Sequence, residues 1–352
     1  MSVSDARVDF GRDMLVVRRR RVAVRLEWRS VVVCCVLALA VAGMAVLALM
    51  TGSYGLSPGQ VVSALTGGET GLVHDIVVEW RLPRVAAALV FGAALGVSGA
   101  VFQSMLRNPL ADPGIIGFSH ASYTGALIVL LVINGTYWQL VGGALLGGMA
   151  TAVAVYVLAY RRGVQGFRLI IAGIGLSAML QSLNTWLILQ ADLEQAIAAA
   201  AWNAGSLNGV SWNQVLIGGG CIAVLLVLAG MSSPSMRQLD LGDDAAAAQG
   251  VRVSSTRLRL IVVGVALTAT VTAASGPITF VSLLAPQIAR RLARTAGITL
   301  APAALVGALL CLTADYIAQH VAPTPLPVGI ITVILGGGYL GWLLFTEARR
   351  RL

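Results

Sequence analysis

Long stretches without a charged residue dominate this chain, and short polar segments separate them. A membrane-spanning helix needs about 20 mostly apolar residues, and several stretches are long enough for two spans. Turn signals such as Asn134-Gly135 and Ser275-Gly276-Pro277 divide the longer ones. The pattern leaves open whether the seventh and eighth helices are separate spans or one broken unit. It predicts an all-α polytopic membrane protein with about ten transmembrane helices, near residues 31–51, 85–105, 114–133, 139–160, 169–190, 213–231, 259–274, 278–293, 301–318 and 327–346.

The composition supports a single membrane domain surrounded by lipid. Of the 352 residues, 57% are hydrophobic and 11% are charged, which lies outside the range of soluble domains. We expect one transmembrane domain over residues 31–348, between a basic N-terminal tail at 1–30 and a basic C-terminus at 349–352. The longest interior loop is predicted at about 232–258.

The positive charges predict the orientation. All 24 basic residues are arginine, because the chain contains no lysine. With ten spans and a cytoplasmic N-terminus, 22 of them fall on the cytoplasmic side and only Arg81 and Arg84 fall outside. Both termini are therefore expected in the cytoplasm. The net charge of +9 sits at membrane flanks, where topology and anionic lipid explain it, so we expect no nucleic-acid partner.

Residue types that carry chemistry are scarce. Without lysine, the chain can form neither a phosphate-binding loop of the lysine type nor a Schiff base. Its four cysteines lie inside apolar runs and its three histidines are scattered, so we expect no metal site, no cofactor and no catalytic residue on this chain. Transport is the natural class, and any ATP must be hydrolysed, with Mg²⁺, on a partner ATPase.

A stripe of uncharged polar residues marks the fifth predicted span. Ser177, Gln181, Asn184 and Thr185 fall within an arc of about 100° on an α-helix. Such a stripe suits a water-lined translocation path. Interhelical hydrogen bonding, worth about 0.6 kcal/mol per contact, explains it equally well.

The interior loop contains a predicted short helix. Two aspartates favour its start, four alanines propagate it and a glycine stops it. It is either an ordinary connector or a docking element for a soluble motor domain. The residues concerned are Leu241, Gly242, Asp243, Asp244, Ala245, Ala246, Ala247 and Gly250.

Several motifs, spread in order over about residues 31–348, resemble those of the FecCD family. They include Arg81-Leu82-Pro83-Arg84, Asn108-Pro109-Leu110-Ala111-x-Pro113, Trp202-x-x-Gly205-Ser206-Leu207, Gly276-Pro277-Ile278-x-Phe280 with Pro286, and Leu326-Pro327-Val328-Gly329. The structural motif positions are Asn108, Pro109, Pro113, Gly276, Pro277, Pro286, Pro327 and Gly329. The phrase Ala285-Pro286-Gln287-Ile288-Ala289-Arg290-Arg291 is similar to the G-type subunits of ferric-enterobactin permeases.

The resemblance implies a fold, partners and residue roles. FecCD proteins are permease subunits of type II ABC importers for ferric siderophores, haem and vitamin B12, with two permease subunits around a central path. Two copies of a cytoplasmic P-loop ATPase would contact the Leu241–Gly250 loop. An extracytoplasmic substrate-binding protein would dock on Arg81 and Arg84. The G-type resemblance implies a non-identical second permease subunit.

We therefore expect a bacterial inner-membrane permease subunit that imports a ferric siderophore. A same-family importer of haem or cobalamin is one alternative. An ion-coupled secondary transporter is another, but such proteins need ionisable groups near the membrane midplane. The only acidic residue far along an apolar run is Asp315, near the outer end of the ninth span.

Overall fold

The computed structural model describes residues 14–19, 22–114, 117–159, 166–295, 297, 299–321 and 324–351. The first 13 residues of the predicted N-terminal tail and the final residue of the predicted C-terminus lie outside these ranges. A β-hairpin pairs β1 (Met14–Arg19) with β2 (Val22–Glu27). The helices are α1 (Trp28–Met50), α2 (Pro58–Leu65), α3 (Leu72–His74), α4 (Leu82–Leu106), α5 (Phe118–Leu127), α6 (Tyr137–Ala159), α7 (Gly166–Leu189), α8 (Leu193–Asn203), α9 (Trp212–Asp240), α10 (Asp243–Ala248), α11 (Val253–Ser275), α12 (Val281–Ala293), α13 (Leu300–His320) and α14 (Val328–Arg351).

The prediction of about ten membrane helices is confirmed. Within the described residues, seven helices are long and apolar enough to cross a membrane. Two shorter apolar helices accompany them: Phe118–Ile133, which is α5 with a π-helical extension, and Val328–Leu343, which is part of α14. The predicted span near residues 278–293 corresponds to α12, which is only 13 residues long. It is separate from α11, because Gly276 (φ 73°) and Phe280 (φ 67°) interrupt the helical backbone between the two.

Helix α4 lies at the centre of the molecule and α1 at its edge. The π-helical turn Asp75–Arg81 extends α4 at its N-terminal end. In the apolar 18-residue stretch of Leu72–Leu106, 78% of the residues are buried, whereas only 6% are buried in the corresponding stretch of α1. Large apolar side chains on α6, α7 and α9 stay exposed, among them Leu146, Met179 and Leu216. Such a surface is suited to hydrocarbon rather than to water.

Small residues let α4 and α13 approach closely. A Cβ atom added to Gly92 or Gly96 would collide with the carbonyl oxygen of Gly307 or Ala303, respectively. A similar approach occurs between α5 and α6, where Gly125 meets Gly143. In both places these glycines allow close helix packing within the chain.

The structure adds elements that the apolar pattern did not predict. Helix α2 begins with a capping box in which Ser57 and Gln60 exchange hydrogen bonds. Helix α8 has only 11 residues and includes polar ones, so the apolar pattern did not predict it. Helix α9 continues through Pro234 to Asp240, nine residues beyond the predicted end. The first part of the expected interior loop is therefore helical.

The helices define two ends of the molecule. Arg107, Arg257 and Arg290 lie at the arginine-rich end, where Arg290 donates to Gln103 and Ser104 donates to Asp240. Arg81 and Arg84 lie at the opposite end, which we call the arginine-poor end.

Candidate functional site

A cavity of about 680 Å³ lies among segments that are far apart in the sequence. Its wall is formed by the turn before α5, by α5, α7 and the end of α8, and by the α11–α12 connection, α12 and α14. The lining residues are Asp112, Gly114, Ser119, His120, Ser177, Asn203, Ala204, Pro277, Thr279, Phe280, Leu283, Gly329, Ile330, Val333, Ile334 and Leu340.

The described lining of the cavity is mainly apolar, and the one carboxylate in it, that of Asp112, is held by neighbours. Asp112 is buried; it accepts a hydrogen bond from the Ser282 hydroxyl and one of 2.6 Å from the Gly114 amide. Ser119, Ser177 and Thr279 add hydroxyl groups to the wall. An apolar wall with a few hydroxyls suits a bulky solute that is not held by strong ionic contacts.

The polar stripe on α7 divides into different environments. Ser177 lines the cavity. Asn184 is buried, where its Oδ1 accepts from the Thr124 hydroxyl at 2.6 Å and its Nδ2 donates to the His120 carbonyl at 3.1 Å. Gln181 and Thr185 are exposed. Asn184 thus makes the interhelical contact that was the alternative explanation, and lining of the path by the stripe stays a prediction.

Three of the sequence motifs meet in one backbone junction at the arginine-poor end. The Ser206 amide donates to the Ser275 carbonyl at 2.7 Å, and the Gly329 amide donates to the Gly205 carbonyl at 3.0 Å. A Cβ at Gly276 would collide with the Trp202 carbonyl oxygen. Corresponding collisions would occur between Gly205 and Pro277, and between Gly329 and Ala204. Pro327 leads into the junction and accepts from the Ile330 amide. The glycines of these motifs are therefore required by close backbone contact.

The Asn108–Pro113 turn follows α4 at the arginine-rich end. The Asn108 side chain accepts from the Leu110 amide at 2.9 Å, and Pro113 is buried. The Pro109 carbonyl accepts from Gln287 Nε2 at 2.9 Å, which ties the turn to α12 one residue after Pro286. The same turn carries Asp112 to the cavity wall.

The predicted short helix in the interior loop exists as α10. Gly242 (φ 117°) precedes it and Gly250 (φ 85°) follows it, both with backbone conformations that favour glycine. Ala246 is fully buried against the rest of the chain, whereas the Leu241 side chain is 68% exposed. Asp244 and Ala247 are exposed, and Ala245 is partly buried. Within the described residues, α10 therefore has one face against the membrane domain and one that is exposed, and its contact with an ATPase stays a prediction.

Both arginines of the arginine-poor end are engaged within the chain. Arg81 donates to the carbonyl oxygens of Leu49 at 2.7 Å and Tyr54 at 2.6 Å, beyond the end of α1. Arg84 pairs with Asp315 and also donates to Asn208 at 2.5 Å. Asp315 belongs to α13 and is 231 residues away from Arg84 in the sequence. Docking of a binding protein on these arginines stays a prediction.

Sequence reasoning missed several residues that shape the site. Asp112 occupies the variable position x of the Asn108–Pro113 motif. Ser282 is the second residue of α12, and no feature of the sequence distinguishes it. Their contact depends on the packing of α12 beside the turn after α4. Within the described residues, no group of three or more His, Cys, Asp or Glu side chains could hold a metal ion.

About ten membrane helices in the described part of the chain, a mainly apolar cavity and a partly exposed short helix at the arginine-rich end together form an architecture suited to a transport permease. The FecCD transport family model matches residues 36–346, and the chain belongs to that family. The ferric enterobactin transport system permease protein FepG of Escherichia coli (strain K12) is 45% identical over 324 residues, covering 92% of this chain and 98% of that protein. The hemin transport system permease protein HmuU of Yersinia pestis is 35% identical over 279 residues, covering 77% and 83%, respectively.

A solved structure agrees with this assignment. It is an inward-facing conformation of a metal-chelate type ABC transporter, with a TM-score of 0.79 and 28% sequence identity, and the match covers 90% of this chain and 99% of that one. The chain is thus a permease subunit of an ABC importer, works in a complex with an ATPase and a substrate-binding protein, and is not itself an enzyme. The alternative of an ion-coupled secondary transporter is wrong.

Proposed function

We propose that this chain imports a ferric siderophore across a bacterial inner membrane. The observation that carries the proposal is the cavity of about 680 Å³ with hydroxyl groups and apolar side chains in its wall. Its volume falls in the range of sites for molecules of several hundred daltons. Asp112, the carboxylate among its described lining residues, accepts hydrogen bonds from the Ser282 hydroxyl and the Gly114 amide. The ferric enterobactin permease relative supports a catecholate complex as the cargo class.

The proposed orientation places the arginine-rich end in the cytoplasm. The positive-inside rule supports it, because 22 of 24 arginines would then be cytoplasmic, along with both termini. Helix α10 would contact the ATPase there through its exposed face, in a complex with two ATPase copies. The arginine-poor end would face the substrate-binding protein.

A second permease subunit would complete the path. The cavity opens at the surface of this chain, and helix α7 presents exposed polar groups such as Gln181 and Thr185 beside it. We propose a non-identical partner on that side. This follows from the similarity to the ferric enterobactin system protein, and subunit counting in the purified complex tests it.

Reconstitution tests the cargo. The chain, co-expressed with its candidate partner permease, ATPase and binding protein, is placed in vesicles, and uptake of radioactive iron is measured. A ferric catecholate should be taken up in an ATP-dependent manner, while a ferric hydroxamate, haem and cobalamin should not. ATP-dependent uptake of haem instead of the catecholate, with tight haem binding to the binding protein, would favour the haem alternative that the Yersinia relative represents.

A further inference from the structure

One acidic residue joins the exposed helix α10 to the turn that reaches the cavity. Asp243 is the first residue of α10, and its Oδ1 accepts from Arg107 Nη2 at 2.5 Å and from Arg257 Nη2 at 2.9 Å. Arg257 belongs to α11, whereas Arg107 directly follows α4. A single carboxylate oxygen therefore contacts α11 and the residue that directly follows α4.

Arg107 lies at the start of the turn that contains Asn108 and Pro113. It adopts a left-handed backbone conformation (φ 49°), which ends α4 and directs the chain into Asn108 and Pro109. Four residues after Asn108, Asp112 reaches the cavity wall and accepts from Ser282. Displacement of Arg107 would therefore move a short, proline-restricted segment whose other end borders the cavity.

The contacts around Asp243 are better suited to positioning than to stability. The side chains of Asp243 and Arg107 are 40% and 43% exposed, and ion pairs with that exposure contribute little to folding. The Arg257 side chain is only 9% exposed, so it provides a fixed point on α11. Asp243 thus lies between a buried cation on α11 and a partly exposed one at the start of the turn, on a helix whose other face is exposed.

We propose that Asp243 is the positioning residue that transmits movement of α10 to the 107–113 turn through Arg107. The inference rests on the proposed function, since it requires α10 to contact the ATPase. Its consequence is specific: without the Asp243–Arg107 contact, the ATPase would still bind and hydrolyse ATP, but hydrolysis would no longer be matched by opening or closing of the cavity.

The test compares neutral variants that keep side-chain size. Asp243→Asn and Arg107→Gln remove the ion pair, and the double variant tests whether they act through one contact. Arg252→Gln is the matched control for Arg107→Gln. It removes one arginine charge from the same end of the molecule, but Arg252 lies outside α10, is exposed and forms no ion pair within the described part of the chain. Asp243→Glu keeps the carboxylate and should restore coupling.

The measurement is cargo uptake per ATP hydrolysed in the reconstituted transporter. We expect both single variants to lower this ratio by at least about fivefold, the lower end of typical coupling between sites. The double variant should be no worse than either single one, and Arg252→Gln should match the unaltered protein. A ratio within about twofold of normal in both single variants, or an equal loss in Arg252→Gln, would overturn the inference.

A separate arm tests the contact with the ATPase. A cysteine at Ala247, on the exposed face of α10, is introduced after replacement of the four native cysteines. It should cross-link to the ATPase in the unaltered complex and equally in Asp243→Asn. Absence of cross-linking in the unaltered complex would overturn the ATPase contact itself, and the inference with it. Normal cross-linking with a normal uptake ratio in the variants would overturn only the role of Asp243.

Discussion

Arg84 and Asp315 form a bidentate ion pair between α4 and α13. Arg84 Nε and Nη2 each donate to one carboxylate oxygen at 2.7 Å, and the two side chains are 20% and 7% exposed. Asp315, the acidic residue that ion coupling in a secondary transporter would require, is thus paired with an arginine of the same chain. The pair also engages one of the two arginines that sequence reasoning assigned to the binding protein.

Loss of either partner of this pair should destabilise the protein. Arg84→Ala leaves the carboxylate of Asp315 buried and unpaired, at a cost of about 3 kcal/mol or more. Thermal unfolding in detergent should show a clear decrease in the midpoint, whereas Arg252→Ala, at an exposed position, should show almost none. Replacement of both partners by leucine should recover much of the loss. Equal midpoints for Arg84→Ala and Arg252→Ala would contradict this prediction.

The docking role of the arginines can be tested without a buried unpaired charge. In the double variant Arg84→Gln/Asp315→Asn, hydrogen bonding can persist while the cationic charge of Arg84 is removed. If Arg84 attracts the binding protein, affinity at low salt should fall and its salt dependence should weaken. Reversal of both arginines to glutamate would be a poorer test, because it also breaks the contacts of Arg81 with Leu49 and Tyr54. Unchanged affinity with normal thermal stability would show that Arg84 is structural only.

Cysteine labelling distinguishes the polar positions of α7. In a background without native cysteines, Ser177→Cys, Gln181→Cys and Thr185→Cys should react with small water-soluble thiol reagents. Their rates should change between nucleotide-free and ATP-trapped states. Asn184→Cys should be silent because that position is buried between α5 and α7. Met179→Cys, on the opposite face of α7 and 70% exposed, is the control for a lipid-facing site. Silence at all three reactive positions would contradict a water-lined path.

A proline in α10 should uncouple the ATPase. Ala246→Pro removes the amide that donates to the Gly242 carbonyl at 2.9 Å and breaks the helix at a cost of about 3 kcal/mol. Uptake and cargo-stimulated ATP hydrolysis should both fall while the protein still inserts in the membrane. Ala246→Gly keeps the amide and costs about 1 kcal/mol, so it should retain most activity. Normal uptake by the proline variant would exclude a coupling role for α10.

The glycine junction should tolerate no side chain. In Gly329→Ala the new methyl group meets the Ala204 carbonyl oxygen, so the backbone must shift, at a cost of about 1–3 kcal/mol. On the same helix, Gly337→Ala places its methyl group in open space and should be neutral. Thermal midpoints of the two variants measure the difference. A lower midpoint for Gly337→Ala than for Gly329→Ala would contradict the junction geometry.

The sequence by itself determined the membrane class, the approximate number of helices and the location of α10. These properties depend on local signals: the length of apolar runs, the positions of arginines, and the Asp-Ala-Gly pattern from Asp243 to Gly250. Family motifs then identified the kind of transporter. Boundaries were less well determined at α8 and α9, because a short polar helix and a helix that continues through Pro234 both depart from the apolar pattern.

Only the tertiary structure decided which distant residues meet. The pairing of Arg84 with Asp315, the burial of Asn184 against His120, and the approach of Gly276, Gly205 and Gly329 join segments far apart in the chain. No periodicity encodes such contacts, since they depend on how closely helices pack and which faces turn inward. The contact of Asp243 with Arg107 is of the same kind: the sequence showed both charges, and packing placed them 2.5 Å apart.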